Sequence, residues 1–149
     1  MKKLFCISLM LLLAPMAFAD SLDPFLGNWA LVLPGDGPGW LQVKQEHRYL
    51  DGSLLWYGGS VNPLESVYLD GDTLYATRSR EVERKDDGGN TVHKQRLTDI
   101  YTFTVSGDTL TGELASPRNN GMGVDRHAFT GKRNPPLPDP PDLSKVKFG

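Results

Sequence analysis

The feature that most constrains the fold is residues 98–114, where two stretches of alternating residues flank a Ser-Gly-Asp turn. In the first stretch Tyr101, Phe103 and Val105 alternate with threonines, so one face is apolar and the other carries short hydroxyls. The second stretch alternates leucine with threonine and glutamate. This pattern predicts an antiparallel β-hairpin, with one face of both arms turned toward a core.

Similar turn signals recur at two glycines further upstream. Gly71 lies in an Asp-Gly-Asp turn between two alternating stretches, and Gly52 lies, less clearly, in YLDGSLLWYG. Glycine supplies the positive φ that a tight hairpin turn requires. Three hairpin signals in one short chain predict an antiparallel meander.

Alternation along the rest of the chain predicts eight short strands and no convincing helix, with a Gly- and Pro-rich loop at 34–39. The predicted strands cover residues 27–33, 40–45, 53–57, 65–69, 73–83, 92–105, 109–115 and 124–132. Because closure removes exposed strand edges, we expect an all-β, up-and-down meander forming a closed or flattened lipocalin-like barrel. A β-sandwich is the alternative.

The N-terminus resembles a secretory signal peptide at residues 1–19, with two lysines, an apolar run and a small-residue ending. The run from Leu4 to Ala19 has 16 residues, fewer than the roughly 20 that span a membrane. We expect cleavage after Ala19 and a periplasmic or secreted protein. Residues 20–133 would then form the β-barrel domain, and residues 134–149 a Pro-rich linker or tail.

Charge and cysteine content limit the classes of partner. Cys6 is the only cysteine and lies within the signal, so no disulfide is expected. Removal of Lys2 and Lys3 would leave 14 basic and 18 acidic residues. Nucleic-acid binding needs a concentrated basic face, so we expect no such partner, and no membrane attachment after cleavage.

The opening FLGNW at residues 25–29 resembles the FxGxW motif of the calycins, the lipocalin and fatty-acid-binding-protein group. In that group the tryptophan fills one barrel end beneath a basic side chain from the last strand. The resemblance implies a structural closure of the barrel by Trp29 and Arg133, the latter in FTGKR.

A longer resemblance covers nearly all of residues 20–149, through GNWAL, GWLQV, SLLWYGGSVNP, GDTL, FTGKR and PPLPDPPDLSKVKFG. These segments resemble the accessory region that precedes the 3-keto-disaccharide hydrolase domain in large exported bacterial proteins. The hydrolase part is not in this sequence, which is either a fragment or a free-standing version. None of the family's catalytic residues can therefore be carried over.

The resemblance implies a non-catalytic accessory domain for carbohydrate-related binding or docking. Its partners would be a carbohydrate, and a C-terminal hydrolase domain or a separate hydrolase. The alternatives are a lipocalin-like carrier of small ligands and a free-standing hydrolase of keto-sugars.

The residues themselves predict no catalytic group, metal or cofactor. His47, His93 and His127 are far apart and match no metal-ligand spacing. Ser60 and Ser106 adjoin glycines but lie in no GxSxG elbow. The chain therefore favours binding over catalysis.

A binding site is predicted from two inward arginines and one carboxylate. Arg78 and Arg80 share a face with apolar residues of the strand at 73–83, and Asp99 lies on the apolar face of the neighbouring strand. Such groups are costly to bury unless they pair or reach solvent. With Trp56 nearby for stacking, Arg78 and Asp99 predict a weak sugar site at a barrel mouth.

Two alternatives stay open for this site. An ion pair with Trp56 in the core would be purely structural. A broader aromatic platform is also compatible with the sequence; its members would be Trp40, Trp56, Tyr57, Tyr68 and Tyr75.

Overall fold

A computed structural model describes residues 21–135, and the predictions for residues 1–19, the Ala19 cleavage and the tail beyond Pro135 lie outside this range. The described chain forms one antiparallel sheet of nine strands, with short 3-10 turns at Asp23–Phe25 and Pro34–Asp36. The strands are β1 Gly27–Leu33, β2 Gly37–Glu46, β3 Tyr49–Trp56, β4 Asn62–Pro63, β5 Ser66–Asp70, β6 Thr73–Lys85, β7 Thr91–Ser106, β8 Thr109–Pro117 and β9 Val124–Arg133.

The strand order is β4-β3-β2-β1-β9-β8-β7-β6-β5, so nearly every strand pairs with its neighbours in sequence. The first strand is the exception, because β1 pairs with β9 as well as with β2. The predicted all-β antiparallel meander is confirmed in its flattened form, since the sheet is not closed into a barrel. The expected eight strands become nine because Asn62–Pro63 forms a two-residue edge strand too short for alternation to reveal.

The two edges of the sheet are linked by the chain between β4 and β5. The Leu64 amide donates to the Gly52 carbonyl of β3 at 2.9 Å, and the Glu65 amide donates to the Thr77 carbonyl of β6 at 2.8 Å. One short segment therefore contacts both sides of the gap.

A single apolar cluster covers one face of the sheet, called here the inner face. Its members come from most of the strands, so the sheet must curve around them. The largest fully buried side chains include Trp29, Tyr101 and Phe103, and Phe129 is also buried. Closely packed aromatic rings thus fill the interior.

The predicted hairpin turn at Gly52 is wrong. β2 turns into β3 at His47, which has a positive φ of 52°, and Gly52 lies buried within β3. A Cβ at Gly52 would lie 2.9 Å from Leu64 Cδ1 and 3.0 Å from Val67 Cγ2. Glycine is present because the edge segment packs directly onto the backbone there.

The other turn predictions are confirmed at Gly71 and Gly107, which have φ values of 61° and 60°. The predicted loop at 34–39 is shorter than expected, because β2 already begins at Gly37. The Tyr57 ring lies where a side chain at Gly37 would stand, 2.4 Å from its ideal Cβ position. Gly37 is therefore a strand residue, and its lack of a side chain leaves room for the Tyr57 ring.

Trp29 and Arg133 join the first and last strands. Trp29 is fully buried and its Nε1 donates to the Phe25 carbonyl at 2.9 Å. The Arg133 guanidinium lies 4.2 Å from the Trp29 ring centroid and donates to the carbonyls of Leu26 and Pro24 at 2.7 and 2.6 Å. Because the sheet is open, this contact ties β1 to β9 and does not seal a barrel end.

Candidate functional site

Two neighbouring strands position the polar groups of the candidate site. Arg78 and Arg80 follow Leu74 and Ala76 along the inner face of β6, because alternate residues of a strand share a face. Asp99 lies directly opposite Arg78 in the β6–β7 register. All three charged groups therefore meet at the end of the inner face that lies away from Trp29.

A cleft of about 310 Å³ opens at this end of the sheet, and we call it the Arg78 cleft. It is within the size range of small-ligand sites. The residues that line it are Trp56, Tyr57, Arg78, Arg80, Asp99, Leu114, Ser116 and His127. The structure thus brings together all four residues that the sequence proposes for ligand binding.

Asp99 is buried, with only 4% of its surface exposed, and is held mainly by Arg80. Arg80 Nη1 donates to Asp99 Oδ1, which also accepts from Ser116 Oγ at 2.7 Å. Arg80 Nη2 donates to the Pro117 carbonyl at 2.5 Å and to Asn119 Oδ1 at 3.2 Å. Arg80 therefore neutralises the buried carboxylate and ties β6 to the end of β8.

Arg78 is held much more loosely than Arg80. Its Nη2 lies 3.7 Å from Asp99 Oδ2, which is beyond hydrogen-bond distance, and its side chain is 27% exposed. Within residues 21–135 no hydrogen bond from the Arg78 guanidinium is found. Its planar set of donors faces the cleft without a matching acceptor.

Trp56 forms the boundary between the core and the Arg78 cleft. Its ring packs edge-on against Phe129 and Tyr101, at centroid distances of 5.2 and 5.5 Å, and also lines the cleft. Tyr57 follows with a positive φ of 65° and donates its hydroxyl to the Pro34 carbonyl at 2.8 Å. Trp56 is thus both part of the core and a surface available to a ligand.

Tyr101 lies beneath the charged groups, two residues beyond Asp99 on the same face of β7. Its hydroxyl is buried and has no hydrogen-bond partner among the described residues. Burial raises the pKa of Tyr101 to about 12, and the nearby Arg78 guanidinium opposes that rise. The phenol is therefore neutral at ordinary pH, and its donor is unused.

Ser116 and His127 are members of the cleft that the sequence did not single out for binding. His127 reaches the cleft because it lies opposite inward-facing Leu114 in the pairing of β8 with β9. Ser116 reaches it because it lies two residues beyond Leu114 on the same face of β8. The alternation of Leu110, Leu114 and Ser116 is the available signal, since it places Ser116 on the inner face.

The wider aromatic platform is not one surface. Trp40 precedes the buried Leu41 and so lies on the outer face of β2. Tyr68 of β5 and Tyr75 of β6 stack on each other, with ring centroids 5.1 Å apart. Tyr75 follows the inward-facing Leu74 along β6, so this pair lies on the outer face. Only Trp56 and Tyr57 line the Arg78 cleft.

The described residues contain no group of three metal-ligating side chains. The three histidines are exposed and lie in separate elements: His47 in the turn between β2 and β3, His93 in β7 and His127 in β9. Asp99 is the only carboxylate lining the Arg78 cleft as described, and Arg80 and Ser116 occupy its Oδ1. These two contacts fix the Asp99 side chain at the wall of the cleft.

No helix within residues 21–135 is long and apolar enough to cross a membrane. Comparison with protein-family models, curated proteins and solved structures found no match for the chain. The resemblance to the accessory region of keto-disaccharide hydrolases therefore stays a prediction, and the site has to be interpreted from its own chemistry.

Proposed function

We propose that the protein is an exported, non-catalytic accessory domain that binds carbohydrate beside a glycoside-processing hydrolase. The observation that carries this proposal is the Arg78 cleft, where an aromatic ring and a charged hydrogen-bonding group line one opening. Sugars combine apolar ring faces with hydroxyls, so such a mixed lining suits them. Trp56 provides the apolar surface, and Arg78 and Asp99 provide the polar contacts.

The packing of the interior favours this cleft over a lipocalin-like interior cavity. Trp29, Tyr101 and Phe103 are fully buried in one cluster with the core leucines. A hydrophobic ligand would have to displace these side chains, which interiors packed at ordinary density resist. A ligand in the Arg78 cleft has an existing opening of about 310 Å³ to occupy.

Titration with disaccharides and glucans, followed by tryptophan emission, tests the proposal. We expect a saturable change in the wild-type protein and at least about tenfold weaker binding in Arg78→Ala, since a charge-assisted hydrogen bond contributes about 1.5–3 kcal/mol. Trp56→Ala should also weaken binding, although it removes core contacts with Phe129 and Tyr101.

Trp40→Phe is the matched control, because it removes a tryptophan from the outer face and leaves the cleft intact. Its binding should equal that of the wild type. No saturable change with any glycan, or a change that survives both cleft substitutions, would contradict carbohydrate binding. Docking to a hydrolase partner would then be favoured over carbohydrate binding as the role of the accessory domain.

A further inference from the structure

The charges lining the Arg78 cleft do not cancel. Two guanidinium groups, Arg78 and Arg80, face the single carboxylate of Asp99. The two arginines and the one carboxylate therefore give the lining one excess positive charge. A cleft of this charge favours an anion over a neutral ligand.

The excess charge belongs to Arg78. Arg80 directs its donors to Asp99, Ser116, the Pro117 carbonyl and Asn119. Arg78 approaches Asp99 no closer than 3.7 Å and faces the opening. An arginine fork with free donors matches the two oxygens of a carboxylate in a bidentate arrangement.

Tyr101 is a further polar group next to Arg78, on the protein side of the cleft. Its side chain is fully buried, yet its hydroxyl has no partner among the described residues and lies near Arg78. Buried donors are nearly always paired in native proteins, with protein groups, water or a bound ligand. The hydroxyl is enclosed and does not line the cleft, so of these two groups only Arg78 presents donors to a ligand.

We infer that the ligand of the Arg78 cleft is an acidic sugar, a hexose-type ring bearing one carboxylate as in uronic acids, with the carboxylate bound by Arg78. This inference rests on the proposed carbohydrate site. One carboxylate balances the one excess charge, whereas a phosphate or sulfate-rich glycan would bring more negative charge than the lining neutralises. The ring of the same sugar packs on Trp56, which lines the same cleft.

The test compares three oligosaccharides of equal length by isothermal titration calorimetry with the purified protein. The probes are a trisaccharide of one glucuronate and two glucose residues, its methyl ester, which keeps the skeleton and removes the charge, and the neutral glucose trisaccharide. We expect the acid to bind at least about tenfold more tightly than its ester, and its affinity to fall as salt is raised.

Two variants identify the group that binds the carboxylate. Arg78→Gln should remove the preference for the acid, and Arg78→Lys should restore part of it, because lysine keeps the charge without the fork. Arg126→Gln is the control, because Arg126 pairs with Glu113 outside the cleft.

The outcomes separate this inference from the function on which it rests. Equal binding of acid and ester, or binding of the neutral glucan alone, would overturn the acidic ligand and leave carbohydrate binding in place. Binding of none of the three sugars, nor of any other glycan, would overturn both. An acid preference that persists in a folded Arg78→Gln protein would also refute the assignment of the carboxylate to Arg78.

Discussion

Arg78 and Arg80 are separated by one residue on β6 and face the same carboxylate, yet their contacts differ. Arg80 neutralises Asp99, which is almost completely buried, and also binds the end of β8. Arg78 lies farther from Asp99 and forms no hydrogen bond with it. Removing the closely paired partner of a buried charge lowers stability far more than removing an arginine that is loosely held and partly solvated.

We therefore predict that Arg80→Ala lowers the free energy of unfolding by about 3 kcal/mol, while Arg78→Ala lowers it by less than about 1 kcal/mol. Urea denaturation monitored by circular dichroism measures both values. The pair of variants is its own control, since each removes an arginine from the same face of β6. Equal losses of stability would show that Arg78, too, is needed to neutralise Asp99.

The sequence predicted that both arginines and Asp99 face inward, because alternation along β6 and β7 requires it. It did not reveal which arginine Asp99 binds. That choice depends on Ser116 and the Pro117 carbonyl, which lie more than 30 residues further along the chain and are brought near Arg80 by sheet register. The candidate site is therefore predictable in its members on β3, β6 and β7, and unpredictable in its hydrogen bonding.

At the level of elements, β3 depends on a glycine that belongs to no turn. Gly52 is buried where the chain between β4 and β5 contacts β3, and the Gly52 carbonyl accepts from the Leu64 amide. An added methyl group would also lie 3.2 Å from the Gln42 carbonyl, besides its contacts with Leu64 and Val67. The edges of the sheet meet here only because no side chain intervenes.

We expect Gly52→Ala to lower the free energy of unfolding by about 2 kcal/mol, as overpacking in a filled interior does. Gly58→Ala is the matched control, because no atom lies within 4 Å of a Cβ at Gly58. Its stability should change by less than about 0.5 kcal/mol. Thermal unfolding measures the stability of both variants. A Gly52→Ala protein as stable as the Gly58→Ala control would show that the edges of the sheet do not pack this closely.

The meander itself was readable from local signals, because Asp-Gly-Asp and Ser-Gly-Asp turns lie between stretches of clear alternation. The errors fell where tertiary contacts override residue type. Gly52 and Gly37 resemble turn glycines but make room for Leu64 and Tyr57 within strands, and His47 adopts the positive φ of the actual turn. The side chain that packs against a given glycine is set by the folded sheet, so the residues around that glycine in the sequence do not predict it.

Considered as a whole, the described sheet joins its sequence ends through the pairing of β1 with β9, in which Trp29 lies opposite Arg133. Antiparallel meanders pair consecutive strands through short turns, whereas this pairing spans most of the described chain. Its closing contact is the Arg133 guanidinium, which contacts the Trp29 ring and reaches back to two carbonyls that precede β1. The same side chain meets Asp108 at the β7–β8 turn, at 3.1 Å.

Replacing Arg133 should therefore weaken the whole domain. We predict that Arg133→Ala lowers the free energy of unfolding by about 2–3 kcal/mol, because it removes two charge-assisted hydrogen bonds to backbone carbonyls, the exposed contact with Asp108 and a cation–π contact with a buried ring. Arg133→Lys should recover less than half of this loss, since an ammonium group on a single stem cannot bind the Leu26 and Pro24 carbonyls in the same way.

Lys132→Ala provides the control for this last prediction, because Lys132 is the neighbouring residue on β9, pairs with Ala30 in the same ladder and is exposed. Its stability should stay within about 0.5 kcal/mol of the wild type. Hydrogen exchange adds a local readout: in Arg133→Ala the amides of β1 should exchange faster, since the strand is held at its start by the contacts that Arg133 makes. If Arg133→Ala and Lys132→Ala were equally stable and β1 exchanged as in the wild type, the joining of the two sequence ends would depend on the backbone ladder alone.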